Sequence, residues 1–327
     1  MTNLRSLMAK FFLLLSIGFI FVAISEFWFY QLPSDSGYTE VLLAYGIIGY
    51  AFLILLSHYQ VWNFKGFFLA AAVFGFLVEG VPVPTLFTIL PFTIVWTSLA
   101  WHALISVAIF WYYFRIIMTK TVWWRKISFM VALGLFLGAW NTYMWNIVET
   151  TGGGATVQKF PTEWFSTTIF ADQFLTGFAL FLLGHIIFQF AYPKALPILH
   201  REKIIVAVII TFFFFAGSLL NMFPFSLTLI PLLLICHLAL KKHQQSNDLV
   251  NTKTNHITET FSYLKLSWLD YLYTLLIPIV AIGTYDLMYT YKIEIEMNVL
   301  LILTAGPVSV ILFLKALWTK SSKESKI

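Results

Sequence analysis

The chain has 327 residues, 60% of them hydrophobic and 11% charged, with a formal net charge of +5 and a mean hydropathy of +0.83. A soluble domain carries about 25% charged and about 45–50% apolar residues, so a cytosolic globular protein is excluded. The single cysteine, Cys236, excludes an intramolecular disulfide and any Cys-based zinc or iron–sulfur centre.

Apolar runs bounded by charge, Pro or Gly predict ten membrane-crossing helices at 10–31, 38–58, 64–80, 91–115, 127–148, 165–191, 204–222, 224–240, 267–291 and 297–318. The seventh and eighth meet at Pro224 and are also readable as one re-entrant pair. The expected fold class is all-α, a polytopic helix bundle forming one transmembrane domain over 1–327. With the N-terminus placed in the cytoplasm, eighteen of the 20 Lys and Arg fall on that side and only Lys159 and Lys292 on the other. This is the positive-inside pattern, so both termini are expected in the cytoplasm of a cell inner membrane. The sorting also accounts for the net charge without a nucleic-acid partner. Arg5, Lys10 and Ala23-Ile24-Ser25 resemble a secretory signal, but the apolar run continues through Phe27 to Tyr30, which favours a retained span.

The polar stretch 241–266 is expected to be a cytoplasmic loop, with Phe261–Leu266 lying in the membrane interface. The longest outer loop holds Gly152-Gly153-Gly154, which lacks the strand, helix and Lys of a phosphate loop. Five spans precede the triplet and five follow, giving halves 10–148 and 165–318 that would be inverted in the membrane, as in many carriers. No residue pattern is shared between them.

A strongly polar side chain inside a span is costly unless it faces protein or water, which makes such residues the functional candidates. At about 1.5 Å per residue, Glu26 lies roughly 8 Å below the outer end of span one, Asp172 roughly 10 Å inside span six and Asp286 about 6 Å below the outer end of span nine. Glu79 is close to the outer end of span three, and Asn141, Asn146 and Glu149 descend the outer half of span five. Residues four apart share a helix face. Ser98, His102 and Ser106 therefore form one polar stripe, Asn141, Trp145 and Glu149 a second, and Thr168, Asp172 and Thr176 a third. Such stripes fit a filled cleft and ordinary interhelical hydrogen bonds alike. Ala71 and Gly75 share a face with Glu79 and leave it open to close approach. Trp96, Trp101, Trp140 and Trp145 are candidate walls of an aromatic cavity, although an interfacial belt accounts for many of the aromatics.

His58, His185, His200 and His237 gather toward the cytoplasmic side, where solvated span ends explain most of them. His185 and His237 are also placed to clamp a haem iron. One His with carboxylates is not the two or three His of a catalytic zinc, so no metal site is expected. Pro278 and Gly306-Pro307 should kink spans nine and ten. Pro82, Pro84 and Pro91 suggest a segment that dips back and places Thr85 and Thr93 over the outer polar cluster, while Gly134 and Gly138 should pack a helix. Ser267 and Asp270 should cap span nine. Phe170-Ala171-Asp172-Gln173 followed by Phe181-Leu182-Leu183-Gly184-His185 resembles a segment of the lysoplasmalogenase family of membrane enzymes, and no catalytic role is carried over from it.

The expected function is that of a membrane-embedded enzyme with an outward-opening polar and aromatic cleft, acting on a lipid, isoprenoid or other apolar substrate. Glu79, His102 and Asp172 would supply acid–base chemistry. Trp101, Asn141, Trp145, Asn146 and Asp286 would hold the substrate. The alternatives are a proton- or cation-coupled carrier of a small molecule and a non-catalytic assembly subunit. Expected partners are membrane lipids and a hydrophobic or small-molecule ligand; no motif identifies a cofactor.

Overall fold

Each predicted apolar run forms a helix in the computed structural model, which describes residues 4–29, 38–146, 148–150, 157–159, 165–250 and 264–318. The helices are α1 (Leu4–Phe27), α2 (Tyr38–His58), α3 (Phe64–Gly80), α4 (Ile94–Lys120), α5 (Trp123–Trp145), α6 (Thr167–Ala195), α7 (His200–Leu219), α8 (Leu229–Val250), α9 (Trp268–Tyr291) and α10 (Met297–Leu317). Nine stretches of the described residues are long and apolar enough to cross a membrane. The tenth helix, α3, has 17 residues and buries all of them except Phe64, Lys65 and Glu79. The fold is thus a polytopic α-helical membrane bundle.

Successive helices alternate in direction. Lys10, Arg115, Lys126, Lys203, Lys241 and Lys315 consequently collect at one end, called here the basic end, and Lys292 lies at the other. At that other end a two-stranded antiparallel hairpin, β1 (Val148–Thr150) with β2 (Val157–Lys159), flanks the Gly triplet, which lies outside the described residues. Around the bundle, Phe212, Leu220, Leu303 and many other large apolar side chains are exposed, as a lipid-facing belt requires.

Small residues set the tightest contacts, as they do where lipid removes the hydrophobic drive between helices. α3 lies against α4 because a Cβ on Gly75 would stand 2.2 Å from the Ser98 carbonyl oxygen. The Gly134 and Gly138 face packs on α9, with a Cβ on Gly138 2.4 Å from the Ala281 carbonyl oxygen. α1 packs along α2 and α6, and α3 also touches α2, α8 and α10.

Several local expectations resolve differently. Spans seven and eight are two separate helices, each long and apolar enough to cross a membrane. α8 continues through Lys241–Val250, since nothing in that polar run breaks a helix; the loop expected from 241 therefore begins later, and 251–263 lie outside the described residues. Leu264 and Leu266 are buried in the protein rather than lying in the interface. α9 breaks at Leu275, three residues before Pro278, where the ring would meet the preceding turn. α10 carries Pro307 inside one continuous helix. Ser267 caps α9, its hydroxyl accepting from the Asp270 N–H while Asp270 accepts from the Ser267 N–H at 2.7 Å.

Candidate acid–base site

The site forms where α1, α2, α3 and α4 approach the hairpin end. α1 ends in a π-helical turn, Ala23–Phe27, and the first twenty residues of α4, Ile94–Tyr113, are π-helical, the Phe114 N–H reaching back five residues to Ile109. Single wide turns of the kind that ends α1 are frequent at functional sites. In α1 the widened turn faces two neighbouring polar residues toward the bundle. Ser25 meets the Ser106 hydroxyl at 3.0 Å, and Glu26 accepts from the Tyr45 hydroxyl at 2.5 Å.

Opposite them, the Nε2 of His102 lies 2.7 Å from Oε1 of Glu79. The other oxygen of that carboxylate accepts from the Thr85 hydroxyl, supplied by the segment after α3 that turns back over the cluster. Thr93 instead donates to the Leu86 carbonyl at 2.6 Å and closes that segment on itself. His102 is 2% exposed, with the rings of Tyr45 and Phe74 each centred 6.1 Å from its own. Glu26 interacts electrostatically with both His102 and Glu79. Two carboxylates therefore bracket one imidazole, each hydrogen-bonded to a group able to carry a proton.

Among the described residues, two polar atoms of the site have no hydrogen-bond partner: His102 Nδ1 and Ser98 Oγ, both buried and on the same face of α4. Other buried side-chain atoms elsewhere in the bundle share that state; these two are the ones that adjoin the carboxylates. A few residues away, Trp96 lines an apolar cavity of about 380 Å3 between α4 and α10, and its ring meets Trp101 edge-on at 5.9 Å.

Of the residues singled out by sequence, Glu79 and His102 come together, and Asp172 does not join them. α6 buries Phe170, Phe174, Phe178 and Phe181, which turns the whole Thr168, Asp172, Thr176 stripe outward, and Asp172 is exposed. Asp286 is exposed on α9, where it accepts from the Thr167 hydroxyl at 2.8 Å and ties α9 to the start of α6. Asn141 donates both amide protons to carbonyls, those of Trp28 at 2.7 Å and Leu137 at 2.8 Å. Trp145 donates to the Tyr285 hydroxyl at 2.8 Å, which in turn donates to the Phe165 carbonyl at 2.7 Å. Trp101 packs between Phe29 and Trp140, with centroids 4.9 Å from each. α5 tightens into a 3-10 turn at Asn141–Asn146, so the expected stripe ends before Glu149; the Asn146 side chain lies outside the description. Asp286, Asn141, Trp145 and Trp101 thus join separate elements, and among them Trp101 adjoins the cavity-lining Trp96.

Tyr45 was not singled out by sequence, and Glu26 was noted only for its depth. The signal that pairs them is equal depth: both lie near the hairpin end of their spans. Arg115, read as one topology charge among many, is fully buried. Its guanidinium donates to the Leu264 carbonyl at 2.6 Å and lies 2.9 Å from His185 Nδ1. His237 meets the Tyr59 hydroxyl at 2.5 Å through its Nδ1, so the two histidines have different hydrogen-bond partners. Among the described residues no three His, Cys, Asp or Glu side chains are grouped as metal ligands.

Fold and site together define a polytopic membrane protein with a buried carboxylate–imidazole cluster near one end. No protein-family model, curated protein or solved structure matches the chain.

Proposed function

We propose that the protein is a membrane-embedded enzyme acting by acid–base chemistry on an apolar substrate such as a lipid or isoprenoid. The observation that carries this reading is the cluster of Glu26, Tyr45, His102 and Glu79, in which His102 Nδ1 and Ser98 Oγ are left for a ligand. His102, oriented by Glu79, exchanges a proton with the substrate at Nδ1; Glu26 and Tyr45 form a second donor–acceptor pair beside it. The apolar cavity at Trp96 receives the hydrocarbon part. The test is incubation of reconstituted protein with a total membrane lipid extract, followed by untargeted mass spectrometry. Wild type should convert at least one species that His102→Gln and Glu79→Gln leave untouched, and conversion retained by both variants would sink the proposal.

A proton-coupled carrier is the second reading, favoured by the contacts between halves. α1 packs on α6, α2 on α7 and α3 on α8, so three helices of the first half each meet the corresponding helix of the second, although among the described residues the α1–α2 and α3–α4 pairings have no counterpart in α6–α7 and α8–α9. The enzyme reading is preferred because all four acid–base groups come from α1–α4, within one half. Pumping of protons by vesicles in response to a solute gradient, abolished by Glu79→Gln, would reverse that preference.

The threading belongs to the same proposal: the basic end faces the cytoplasm of an inner membrane, in keeping with the distribution of Lys and Arg. In a Cys236→Ser background, Lys292→Cys should react with an impermeant thiol reagent added outside intact cells, and Lys194→Cys should not.

A further inference from the structure

α7 stands off from the rest of the bundle. Along Leu199–Phe213 it buries only Val206, and it leans on α2 rather than on its chain neighbour α6. Between α7 and the faces of α2, α3 and α8 runs a cavity of about 300 Å3. Its deeper walls are aliphatic, including Ile54, Val73, Leu77, Ile210 and Leu233. From Lys203 to Thr211 on α7 it extends about 12 Å along the helix. A slot of this shape is suited to one hydrocarbon chain.

Its mouth has a different chemistry. Lys203 and His237 line it at the basic end, and Lys203 Nζ lies 3.2 Å from His58 Nδ1. His58 also interacts electrostatically with His237 and His200. Among the described residues, the carboxylate close by, Glu202, is already held by Lys10 at 2.6 Å and by the Tyr50 hydroxyl at 3.2 Å. Lys203 has no acidic partner among the described residues. A lysine flanked by imidazoles at the mouth of an apolar slot between helices offers one cation and N–H donors to an anionic headgroup while the slot takes its chain.

We propose that this slot binds one acyl chain of an anionic glycerophospholipid, with the phosphate seated against Lys203, His58 and His237. The lipid fills the gap that keeps α7 apart and couples that helix to the bundle. This site is separate from the acid–base cluster, which lies toward the opposite end, and it stands whether or not that cluster is catalytic.

The test uses the full chain in nanodiscs of equal parts phosphatidylglycerol and phosphatidylcholine, released into detergent and weighed by native mass spectrometry. Wild type should retain phosphatidylglycerol in preference to phosphatidylcholine. Lys203→Ala, which removes a charge-assisted contact, should lower the retained fraction about tenfold. Ala207→Trp, which fills the slot, should abolish retention, and Lys194→Ala, a basic residue of the same end outside the slot, should leave it as in wild type. Equal retention of the two lipids by wild type overturns the proposal, as does wild-type retention by either Lys203→Ala or Ala207→Trp. Loss in Lys194→Ala equal to that in Lys203→Ala overturns it too, because the lipid would then be held by general surface charge.

Discussion

His102 and Glu79, 23 positions apart in sequence, meet at 2.7 Å because Gly75, one turn from Glu79 on α3, admits the backbone of α4 at Ser98. A side chain at 75 would drive the two helices apart and separate the pair. Gly75→Val should lower stability by about 1–3 kcal/mol, the usual cost of overpacking, read as a lower midpoint of thermal unfolding in detergent. Gly283→Ala, where a Cβ meets nothing within 4 Å, serves as the control and should leave the midpoint unchanged or slightly raised.

The tie between α7 and the bundle through Lys10 and Glu202 is partly buried, the two side chains retaining 10% and 17% exposure. Removing one partner of a buried pair costs about 3–5 kcal/mol, and an exposed pair is worth less than about 1, so this one should lie near 2 kcal/mol. Glu202→Gln should therefore destabilise the protein more than the double change Lys10→Met with Glu202→Leu, which leaves no unpaired charge. The comparison is read as the difference between the two variants' chemical unfolding midpoints.

Tyr285 relays a hydrogen bond from the Trp145 indole to the Phe165 carbonyl and so fastens α5, α9 and the approach to α6 together. Tyr285→Phe keeps the ring but strands a buried donor and a buried acceptor. It should cost about 1–3 kcal/mol, with a shift in tryptophan emission reporting the altered surroundings of Trp145.

Arg115 holds the segment before α9 by donating to the Leu264 carbonyl, and Gln189 accepts from the Leu266 N–H at 3.1 Å on the other side of exposed Lys265. Arg115→Met should loosen that clamp. Limited trypsinolysis in detergent should then cut after Lys265 faster than in wild type, while cleavage after exposed Lys194 keeps its rate.

The helices were legible because span length and apolar composition are imposed by the bilayer itself. Depth within a span was also legible, and it put Glu26 and Glu79 toward the same end; His102, grouped with Glu79 as an acid–base candidate, does meet it at 2.7 Å. What depth does not give is rotation: Asp172 and Glu26 lie comparably far from the ends of their predicted spans, yet the Phe-rich side of α6 packs inward and turns Asp172 out. The π-helical turns in α1 and α4 add a residue per turn and defeat a periodicity argument based on 3.6. The stripe Ser98, His102, Ser106 survived only because residues four apart stay close in either kind of turn. Tyr45 was hidden among the aromatics, since nothing in composition distinguishes a belt tyrosine from one aimed at a carboxylate.

The enclosure of α3 has a consequence for how such a sequence can drift. A helix with protein on every side has no face on which one apolar residue can be exchanged for another of different size. α7, solvated by lipid along most of its length, tolerates nearly any apolar replacement. Among orthologous chains, Gly66–Gly80 should therefore change slowest and His200–Leu219 fastest, so the short central helix is the place to anchor an alignment of distant relatives.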